Sequence, residues 1–390
     1  MIPVSVARTL LLGLVRQLET EEVPLAEAAG RVLAREVQAR RDQPPFSASA
    51  MDGYAVNAAE VELHAMFKVI GEAAAGHAFN GRVGAGQAVR IFTGAPVPEG
   101  ASFVVIQEDV TRSGDLITIT DAPGSNSNIR PRGGDFKNGQ TVSAPKLLNA
   151  ADIALLAAMN IPAVPVTRRP DVALISTGDE LVMPGGTPGP DQIIASNTFG
   201  LKAMLEGFGA RARILPIARD TEGSLRTAFE LAKGADLVVT IGGASVGDHD
   251  LVGKVAADLG MERSFYKVAM RPGKPLMAGR MNAAAMVGLP GNPVSAMVCG
   301  HVFLAPMIRT MLGLSSDAQE LRTATLAAPL PENGPREHYM RAQAGNGQLS
   351  AFDNQDSSLL TVLADANALL VRPPRDRARN AGETVQYLPV

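Results

Sequence analysis

The clearest candidates for chemistry are glycines, a hydroxyl and a carboxylate that follow the apolar run 237–241. Gly242 and Gly243 come directly after this run, and Ser245 and Asp250 come next. Glycine tolerates positive φ and lets a ligand approach the backbone closely, while the side chains offer hydrogen bonds and negative charge. The pattern predicts either a polar ligand site or a tight turn with a helix-capping aspartate.

Acids also follow two other strand-like runs. Asp179 and Glu180 come after residues 172–176, and Asp220 comes after residues 212–218. Taken singly, each acid is more often a helix cap or a solvated loop charge than a ligand. Parallel strands bring their carboxyl ends to one edge of a sheet, where α/β proteins bind ligands, so the shared position favours a site. Oxygen ligands without histidine or cysteine favour Mg²⁺ together with substrate phosphates.

Two cations lie in the turn MRPGKP at residues 270–275, which follows another strand-like run. The planar guanidinium of Arg271 and the compact charge of Lys274 suit a phosphate or a tetrahedral oxoanion, and a basic surface turn is the alternative. In LPGNPVS, Pro293 is a typical first residue of a helix, whose free amides favour anions. Cations, amides and acids together indicate a phosphorylated ligand with a metal.

Composition limits the class of partner. The 390 residues include 19% charged side chains and carry a net charge of −3, so the charge balance does not favour nucleic acid as a partner. The single cysteine, Cys299, excludes an intramolecular disulfide and a thiolate zinc site, and it fits a reducing compartment. We expect no membrane span and a cytoplasmic protein that acts on small molecules.

Two common nucleotide-binding motifs are missing from the sequence. It contains no G-x-x-x-x-G-K-[ST] phosphate loop and no G-x-G-x-x-G that opens a helix after a strand. Ordinary nucleotide hydrolases and nicotinamide dehydrogenases are therefore disfavoured. The five histidines show no metal-ligand spacing.

The elements that would position these residues begin with an N-terminal part. Apolar residues from Ala7 to Leu18 recur at helical spacing, and residues 24–37 also suggest a short helix. Two prolines in DQPPF, residues 42–46, cannot continue a helix and indicate a boundary. Short β-prone runs follow to about residue 139, and a helix over residues 149–159 is expected to pack on the first helix. We therefore expect a helical N-terminal domain of residues 1–42 and 141–168 that is interrupted by a small β domain of residues 43–140.

Strands and helices alternate from about residue 169. The predicted strands are 172–176, 212–218, 237–241, 264–268 and 284–288, and the predicted helices are 197–208, 225–233, 251–259 and 294–312. This alternation predicts a mostly parallel sheet with right-handed crossovers, in an α/β domain of residues 169–314. Short strands separated by Gly, Pro and Asn then predict a C-terminal β domain of residues 315–390.

Six motifs carry a resemblance to a known family. They are SAMDGYAV (49–56), IFTGAPVPEGA (91–101), STGDEL (176–181), GGASVGDHD (242–250), RPGKP (271–275) and GLPGNPVS (288–295). In this order and context they resemble the MoeA-type molybdopterin molybdenumtransferases, the family that includes the E domain of gephyrin. The match runs from the first helix to the C-terminal domain.

The resemblance implies an elongated four-domain subunit that forms a homodimer. Its α/β domain is expected to be a MogA-like three-layer domain, and its C-terminal domain to be β-barrel-like. The implied reaction combines adenylylated molybdopterin and molybdate, with Mg²⁺ as cofactor, to give molybdenum cofactor and AMP. A molybdopterin adenylyltransferase is a possible partner, whereas nucleic acid and membrane have no part.

The resemblance also assigns roles, position by position. The residues with an implied catalytic role are Asp52, Thr93, Asp135, Glu180, Lys267 and Lys274. Those with an implied role in substrate binding are Gly242, Gly243, Ser245, Arg271, Pro290, Pro293, Ser295, Arg341 and Ser357. The implied metal ligands are Asp220 and Asp250. The three residues of the β domain, Asp52, Thr93 and Asp135, would face the α/β domain of the other subunit. Arg271 stands where the family commonly has a lysine, which keeps the charge and changes the geometry of an anion contact.

Two other functions fit the sequence less well. A non-catalytic scaffold of the same fold would have no need to keep the charges of Asp52, Asp220, Asp250 and Lys274. A molybdopterin adenylyltransferase would resemble only the α/β domain, whereas SAMDGYAV and TGAP lie in the β domain.

Overall fold

Most strands of the chain lie in four large sheets. The computed structural model describes residues 1–243, 251–316 and 321–390. The predictions for Ser245 and Asp250 lie outside the described residues.

The sheet that carries the predicted acids has a central strand, Leu237–Ile241, that is buried along its whole length. A strand of this kind needs cover on both faces. The strand order is Arg211–Ile214, Asp171–Ser176, Leu237–Ile241, Ala284–Leu289, Pro275–Met281 and Met261–Lys267. The first four strands are parallel, so their carboxyl ends meet at one edge. The predicted three-layer domain with a mostly parallel sheet is confirmed.

Helices cover both faces of this sheet, because alternate residues such as Val238 and Val239 enter different apolar clusters. The helices are Asn197–Gly207, Glu222–Leu231, Leu251–Asp258 and a continuous stretch of Pro293–Cys299, the π-helix Gly300–Leu304 and Ala305–Met311. The stretch Pro293–Met311 is long and apolar enough to cross a membrane, but 78% of its most apolar window is buried. We interpret it as a core helix.

One strand of this sheet, Pro275–Met281, escaped the sequence prediction. It begins with a proline and contains a glycine, and both residues are uncommon in strand interiors. It nevertheless pairs on both sides, with Ala284–Leu289 and with Met261–Lys267, and both pairings are antiparallel.

The predicted helix over residues 24–37 is wrong, because this part of the chain consists of a 3₁₀ turn, loops and short strands. The N-terminal sheet has the order Thr20–Pro24, Ala163–Thr167, Val32–Leu33 and Lys146–Leu147, and Val37–Gln38 pairs separately with Thr141–Val142. Only the turn Leu25–Glu27 is helical, as a 3₁₀ turn. Val32 and Leu33 are both buried and pair with residues more than a hundred positions away, so tertiary pairing outweighs the local helical spacing.

The two helices of the N-terminal part do not pack on each other as predicted. The first helix is Val4–Leu12, and its buried residues Val4 and Ala7 join the core of the α/β sheet. The second helix is Ala150–Ala158, and its Leu156 packs in a separate cluster of the N-terminal sheet. The apolar stripe of the first helix thus anchors the N-terminus to the α/β domain.

The inserted β part forms a mixed six-stranded sheet around two small apolar clusters. Its order is Phe103–Ile106, Gly53–Val56, Gln87–Ile91, Met66–Ala73, Leu116–Ile119 and Val110–Ser113. A short pair, Ala48–Ser49 with Ile129–Arg130, lies beside it, and the 3₁₀ turns are Ala58–Glu60 and Gln107–Asp109.

The C-terminal part is a closed barrel of five strands, as the resemblance implied. The barrel strands are Glu337–Gly345, Gln348–Ala351, Arg322–Leu326, Thr384–Pro389 and Ala368–Arg372, and the first and last of these also pair. Along the chain, the short helix Leu360–Asp365 follows strand Gln348–Ala351 and precedes strand Ala368–Arg372. The strand Met270–Arg271, at the start of MRPGKP, pairs in parallel with the barrel strand at Glu337 and His338. This pairing joins the barrel to the α/β domain at the predicted anion turn.

Candidate active site

Carboxylates gather at the carboxyl edge of the parallel sheet. Asp179 and Glu180 lie directly after strand Asp171–Ser176, and Asp220 lies in the loop after the neighbouring strand. The backbone N–H of Asp220 donates to Asp179 Oδ1 over 3.3 Å. Partial desolvation raises the pKa of Asp220, and the charges of Asp179 and Glu180 add to this rise. Acids that repel one another in this way suit a divalent cation.

One of the two predicted metal ligands, Asp220, lies among the described residues. Asp220 and Asp179 supply oxygen donors of the kind that Mg²⁺ prefers. Within residues 1–243, 251–316 and 321–390, no three His, Cys, Asp or Glu side chains are grouped closely enough to hold a metal ion. The second predicted ligand, Asp250, lies outside these residues, so the metal site stays a prediction.

Gly242 and Gly243 form the turn at the end of the central strand, with φ of 91° and 63°. A Cβ at Gly242 would lie 2.7 Å from the carbonyl oxygen of Thr177, and a Cβ at Gly243 would lie 2.8 Å from Thr177 Oγ1. Both distances are too short for a side chain, so only glycine fits. The turn therefore lies against the loop that carries the acids.

The loop after strand Ala284–Leu289 contributes to the same edge. Pro290 is buried at the start of this loop, Pro293 begins the next helix, and Ser295 is buried in the first turn of that helix. The position of Pro293 matches the predicted helix start.

Ser357 brings the C-terminal part of the chain to this helix start. Asn292 Nδ2 donates to Ser357 Oγ over 3.1 Å, and the backbone N–H of Val294 donates to the carbonyl oxygen of Ser357 over 3.1 Å. The amide of Val294 is therefore occupied, which corrects the expectation of free amides there. The contact places Ser357 beside the loop after strand Ala284–Leu289.

Positive charge is concentrated where the RPGKP turn meets the barrel. Arg271 pairs in register with His338. Burial lowers the pKa of His338 to about 4, and the charges of Arg271 and Arg341 add to the effect, so His338 is neutral at pH 7. Arg336 and Arg372 also contribute positive charge around this histidine. Such a field attracts an anion.

Arg341 is fully buried, with 0% of its surface exposed. Its Nη2 donates to the carbonyl oxygens of Asn354 and Asp356, over 3.2 and 3.0 Å. Among the described residues, Arg341 Nε and Nη1 are buried without an acceptor. Burial lowers the pKa of Arg341. The negative charge of Asp356 raises this pKa in part, and the positive charge of Arg271 lowers it again. Buried donors without partners are costly, and an oxyanion would satisfy them.

Of the two predicted catalytic lysines, Lys274 lies in the anion turn and Lys267 lies three residues before it. Lys274 is exposed, and its carbonyl oxygen accepts from the N–H of Val268 over 3.1 Å, which closes the turn. Lys267 Nζ lies 5.5 Å from the centroid of the Tyr266 ring. Gly273 has φ of 106° inside the turn, which fixes the direction of the chain between Arg271 and Lys274.

Asp52 and Thr93 form a pair at the end of two adjacent strands of the β part. The N–H and the hydroxyl of Thr93 both donate to Asp52 Oδ1, each over 2.7 Å. These bonds lower the pKa of Asp52, the backbone bond first, and the charge of Arg90 adds to them. The carboxylate is therefore held ionised and oriented.

Asp135 lies in a different turn of the β part. Its backbone N–H donates to the carbonyl oxygen of Gln43 over 2.9 Å, and its side chain is exposed. This turn is held by Asp42, which accepts from Arg132 Nε over 2.6 Å and from the N–H of Asn138 over 2.8 Å. No hydrogen bond among the described residues links Asp135 to the Asp52–Thr93 pair.

Three residues of the site were not found by sequence reasoning. Asn292 joins two domains, Thr177 packs against the glycine turn, and Arg90 supports Asp52. Asn292 lies in the motif GLPGNPVS and Thr177 lies in STGDEL, and other residues of these two motifs were predicted as site residues. Arg90 lies in a strand that showed only β propensity, and its role depends on cross-strand register.

Three family matches together cover most of the chain. Residues 2–160 match the family described as MoeA N-terminal region (domain I and II), residues 173–310 match a probable molybdopterin binding domain, and residues 323–390 match the MoeA C-terminal region (domain IV).

Similar relatives and solved structures agree with these matches. A molybdopterin molybdenumtransferase of Nostoc sp. is 36% identical over 95% of this chain and 89% of its own length. The molybdopterin molybdenumtransferase of Haemophilus influenzae is 34% identical over 95% of this chain and 94% of its own length. The crystal structure of the molybdopterin biosynthesis moeA protein from Pyrococcus horikoshii OT3 superposes with a TM-score of 0.86 at 28% identity, over 100% of both chains.

Proposed function

Because the chain belongs to the MoeA family of molybdopterin molybdenumtransferases, we propose that it inserts molybdenum from molybdate into adenylylated molybdopterin, with Mg²⁺ and with release of AMP. It is a transferase of molybdenum cofactor biosynthesis. The single observation that carries the chemical assignment is Arg341, whose buried Nε and Nη1 lack acceptors among the described residues. A tetrahedral oxoanion matches such a guanidinium.

Molybdate would lie between Arg341 and the RPGKP turn. The charge of Arg271 acts on both Arg341 and His338, so these groups share one local field. Arg271 would contact the oxoanion with its planar fork, and Lys274 would supply a compact charge. Ser357 lies against the adjacent helix start and would add a hydroxyl.

The adenylylated substrate would lie along the carboxyl edge of the sheet. The turn of Gly242 and Gly243 permits close approach of a phosphate to the backbone, and Lys267 would neutralise part of its charge. Mg²⁺ would be held by Asp220 and Asp250, with Glu180 nearby, and would neutralise the substrate phosphates. Asp52 and Thr93 would orient the substrate from the β domain.

The separation of these groups supports a homodimer with shared sites, which the family resemblance implies. Each hydrogen bond and ion pair described for residues 43–140 has its partner within residues 39–140, so the described contacts do not tie Asp52 to the α/β edge of its own chain. A second subunit would bring the two together in a two-fold dimer. The single buried cysteine supports a cytoplasmic location, where an adenylyltransferase would deliver the substrate.

The assignment is tested by AMP release from adenylylated molybdopterin with molybdate and Mg²⁺. The wild type is expected to release AMP only when both are present. Arg341→Met keeps the bulk of the side chain and removes its donors, and it should lower molybdate-dependent release by about 100-fold or more. Molybdate-dependent release at the wild-type rate in Arg341→Met would contradict the anion site.

A further inference from the structure

We propose that Arg90 is the positioning residue of the Asp52–Thr93 pair, because it fixes the strand end from which the Asp52 carboxylate projects. The inference deepens the proposed function, since it rests on Asp52 facing the substrate. Arg90 itself would not touch the substrate.

Register places Arg90 next to the pair. Strands Gly53–Val56 and Gln87–Ile91 are antiparallel, with Gly53 opposite Ile91 and Tyr54 opposite Arg90. One step beyond this ladder, the N–H of Thr93 reaches Asp52 Oδ1. Any slip of the strand end would therefore separate Thr93 from Asp52.

Arg90 holds this strand end with two hydrogen bonds. Its Nη1 donates to the carbonyl oxygen of Gly53 over 3.1 Å, and its Nη2 donates to Gln107 Oε1 over 2.6 Å. The backbone N–H of Gln107 in turn donates to the carbonyl oxygen of Asp52 over 3.1 Å. One branch of the guanidinium thus binds Gly53, the residue after Asp52. The other binds Gln107, which itself binds the backbone of Asp52.

Two aromatic rings fix the guanidinium. Arg90 Cζ lies 5.1 Å from the centroid of the Tyr54 ring and 4.7 Å from that of Phe92. Both distances are typical of cation–π contacts. A planar, delocalised cation suits this position better than a lysine ammonium, which lacks the fork.

The backbone beside Asp52 has little freedom to compensate. A Cβ at Gly53 would lie 2.0 Å from the carbonyl oxygen of Val105, so the strands are in close contact there. Among the described residues, Thr93 and Arg90 act on the Asp52 carboxyl, and Glu108 Oε1 accepts from Gln107 Nε2 over 3.2 Å. Loss of Arg90 therefore removes both a mechanical support and a cation whose charge favours the ionised form of Asp52.

Three variants test the proposal. Arg90→Gln removes the charge and the fork, Arg90→Lys keeps the charge without the fork, and Arg82→Gln is the control. Arg82 is an exposed arginine of the same β part, with 75% of its side chain exposed and a 3.6 Å ion pair to Glu99.

The first readout is kinetic. Arg90→Gln should lower kcat for AMP release by about tenfold or more, since misplacement of a reacting group is costly, while KM for molybdate stays within about twofold because molybdate is bound elsewhere. The acidic limb in the pH profile of kcat should move to higher pH. Asp52 loses a cation that favours its ionised form, and the pKa of Asp52 therefore rises. Arg90→Lys should keep the acidic limb near that of the wild type and recover only part of kcat.

The second readout needs no substrate. The carboxyl ¹³C signal of Asp52, assigned by its loss in Asp52→Asn, is titrated in each variant. The pKa of the Asp52 carboxyl should rise in Arg90→Gln and stay at the wild-type value in Arg82→Gln. If Arg90→Gln does not fold, the comparison of kcat and of the acidic limb in Arg90→Lys decides.

The proposal would be overturned if Arg90→Gln had the same kcat as the wild type, the same acidic limb in its pH profile and the same pKa of Asp52. A protein that releases no AMP in any form would contradict the proposed function instead, and the Asp52 titration would still decide whether Arg90 acts on Asp52.

Discussion

At the residue scale, the site depends on charges that the fold leaves without partners. Arg341 is buried with two nitrogens that lack acceptors among the described residues, and burial together with neighbouring positive charges depresses the pKa of His338. A structural role alone would favour an acidic partner for these groups. Their arrangement instead favours an anion that arrives and leaves.

Arg271 and Lys274 are expected to do different work in this anion site. Arg271→Ala should raise the molybdate concentration for half-maximal rate by about tenfold or more, because a charge-assisted hydrogen bond contributes roughly 1.5–3 kcal/mol, and excess molybdate should recover most of the rate. Lys274→Ala should lower the rate even at saturation, by about 100-fold, because charge on the leaving AMP loses its partner. Molybdate titration of both variants separates the two effects, with the exposed Lys233→Ala as control. Wild-type curves for both variants would contradict the anion role of RPGKP.

Asp220 is expected to link metal binding to pH. Its pKa is raised, so protons compete with Mg²⁺ at a pH where an ordinary aspartate, with a pKa of about 3.9, remains ionised. The Mg²⁺ concentration for half-maximal AMP release should therefore increase as the pH falls. Asp220→Asn should raise the Mg²⁺ requirement and weaken this pH dependence, whereas Asp258→Asn should change neither. An unchanged Mg²⁺ requirement in Asp220→Asn would remove this residue from the metal site.

Sequence reasoning found the residues whose chemistry is visible in their type and missed those whose role depends on contacts. Asp52 and Thr93 were selected separately from two motifs, and the structure pairs them. Arg90 looked like an ordinary strand residue, because its role follows from the register between two strands. Likewise, the expectation of a free amide at residue 294 failed, because Ser357 comes from a part of the chain too distant for local pattern to reveal.

At the element scale, strand ends determine where functional groups lie. The carboxyl ends of four parallel strands bring the acids, the glycine turn and the loop after Leu289 to one edge. The alternating pattern predicted this edge, because buried parallel strands have a strong apolar signal. The helix predicted over residues 24–37 failed for the opposite reason, since its short strands are stabilised by partners far away in sequence.

Gly53 offers a test of the strand contact that supports Asp52. Gly53→Ala would place a Cβ 2.0 Å from the carbonyl oxygen of Val105, so the strands must separate. We expect the free energy of unfolding to fall by at least about 1–3 kcal/mol, as measured by chemical denaturation. Gly124→Ala in the same β part meets no atom within 4 Å and should have little effect. Equal stability of the two variants would mean that the strands adjust freely.

At the scale of the whole molecule, the candidate site is divided between parts with separate cores. The β part has its own apolar clusters, while the α/β domain and the barrel are joined through Met270–Arg271 and Ser357. The composition breaks in the sequence predict boundaries near residues 42 and 140, at the two ends of the β part. The dimer that would reunite the parts comes from the family resemblance and the separation of contacts.

Subunit mixing tests the shared site. Asp52→Ala and Lys274→Ala subunits should each release AMP far more slowly than the wild type, and a mixed dimer should regain activity because one of its two clefts would combine native Asp52 with native Lys274. AMP release is measured after proven subunit exchange. Mixing Asp52→Ala with Thr93→Ala is the control, because both changes lie in the same half of the site and neither cleft is repaired. Absence of recovery in the first mixture would count against a site formed by two subunits.

The most direct test of the central claim is a single-turnover reaction of the purified protein with adenylylated molybdopterin, molybdate and Mg²⁺. AMP is quantified directly, and molybdenum cofactor is quantified by activation of an apo-molybdoenzyme. If the protein inserts molybdenum as proposed, AMP and active cofactor should form in equimolar amounts, and both should disappear when molybdate is omitted or when Arg341→Met replaces the wild type. AMP release without active cofactor, or release that does not depend on molybdate, would contradict the account.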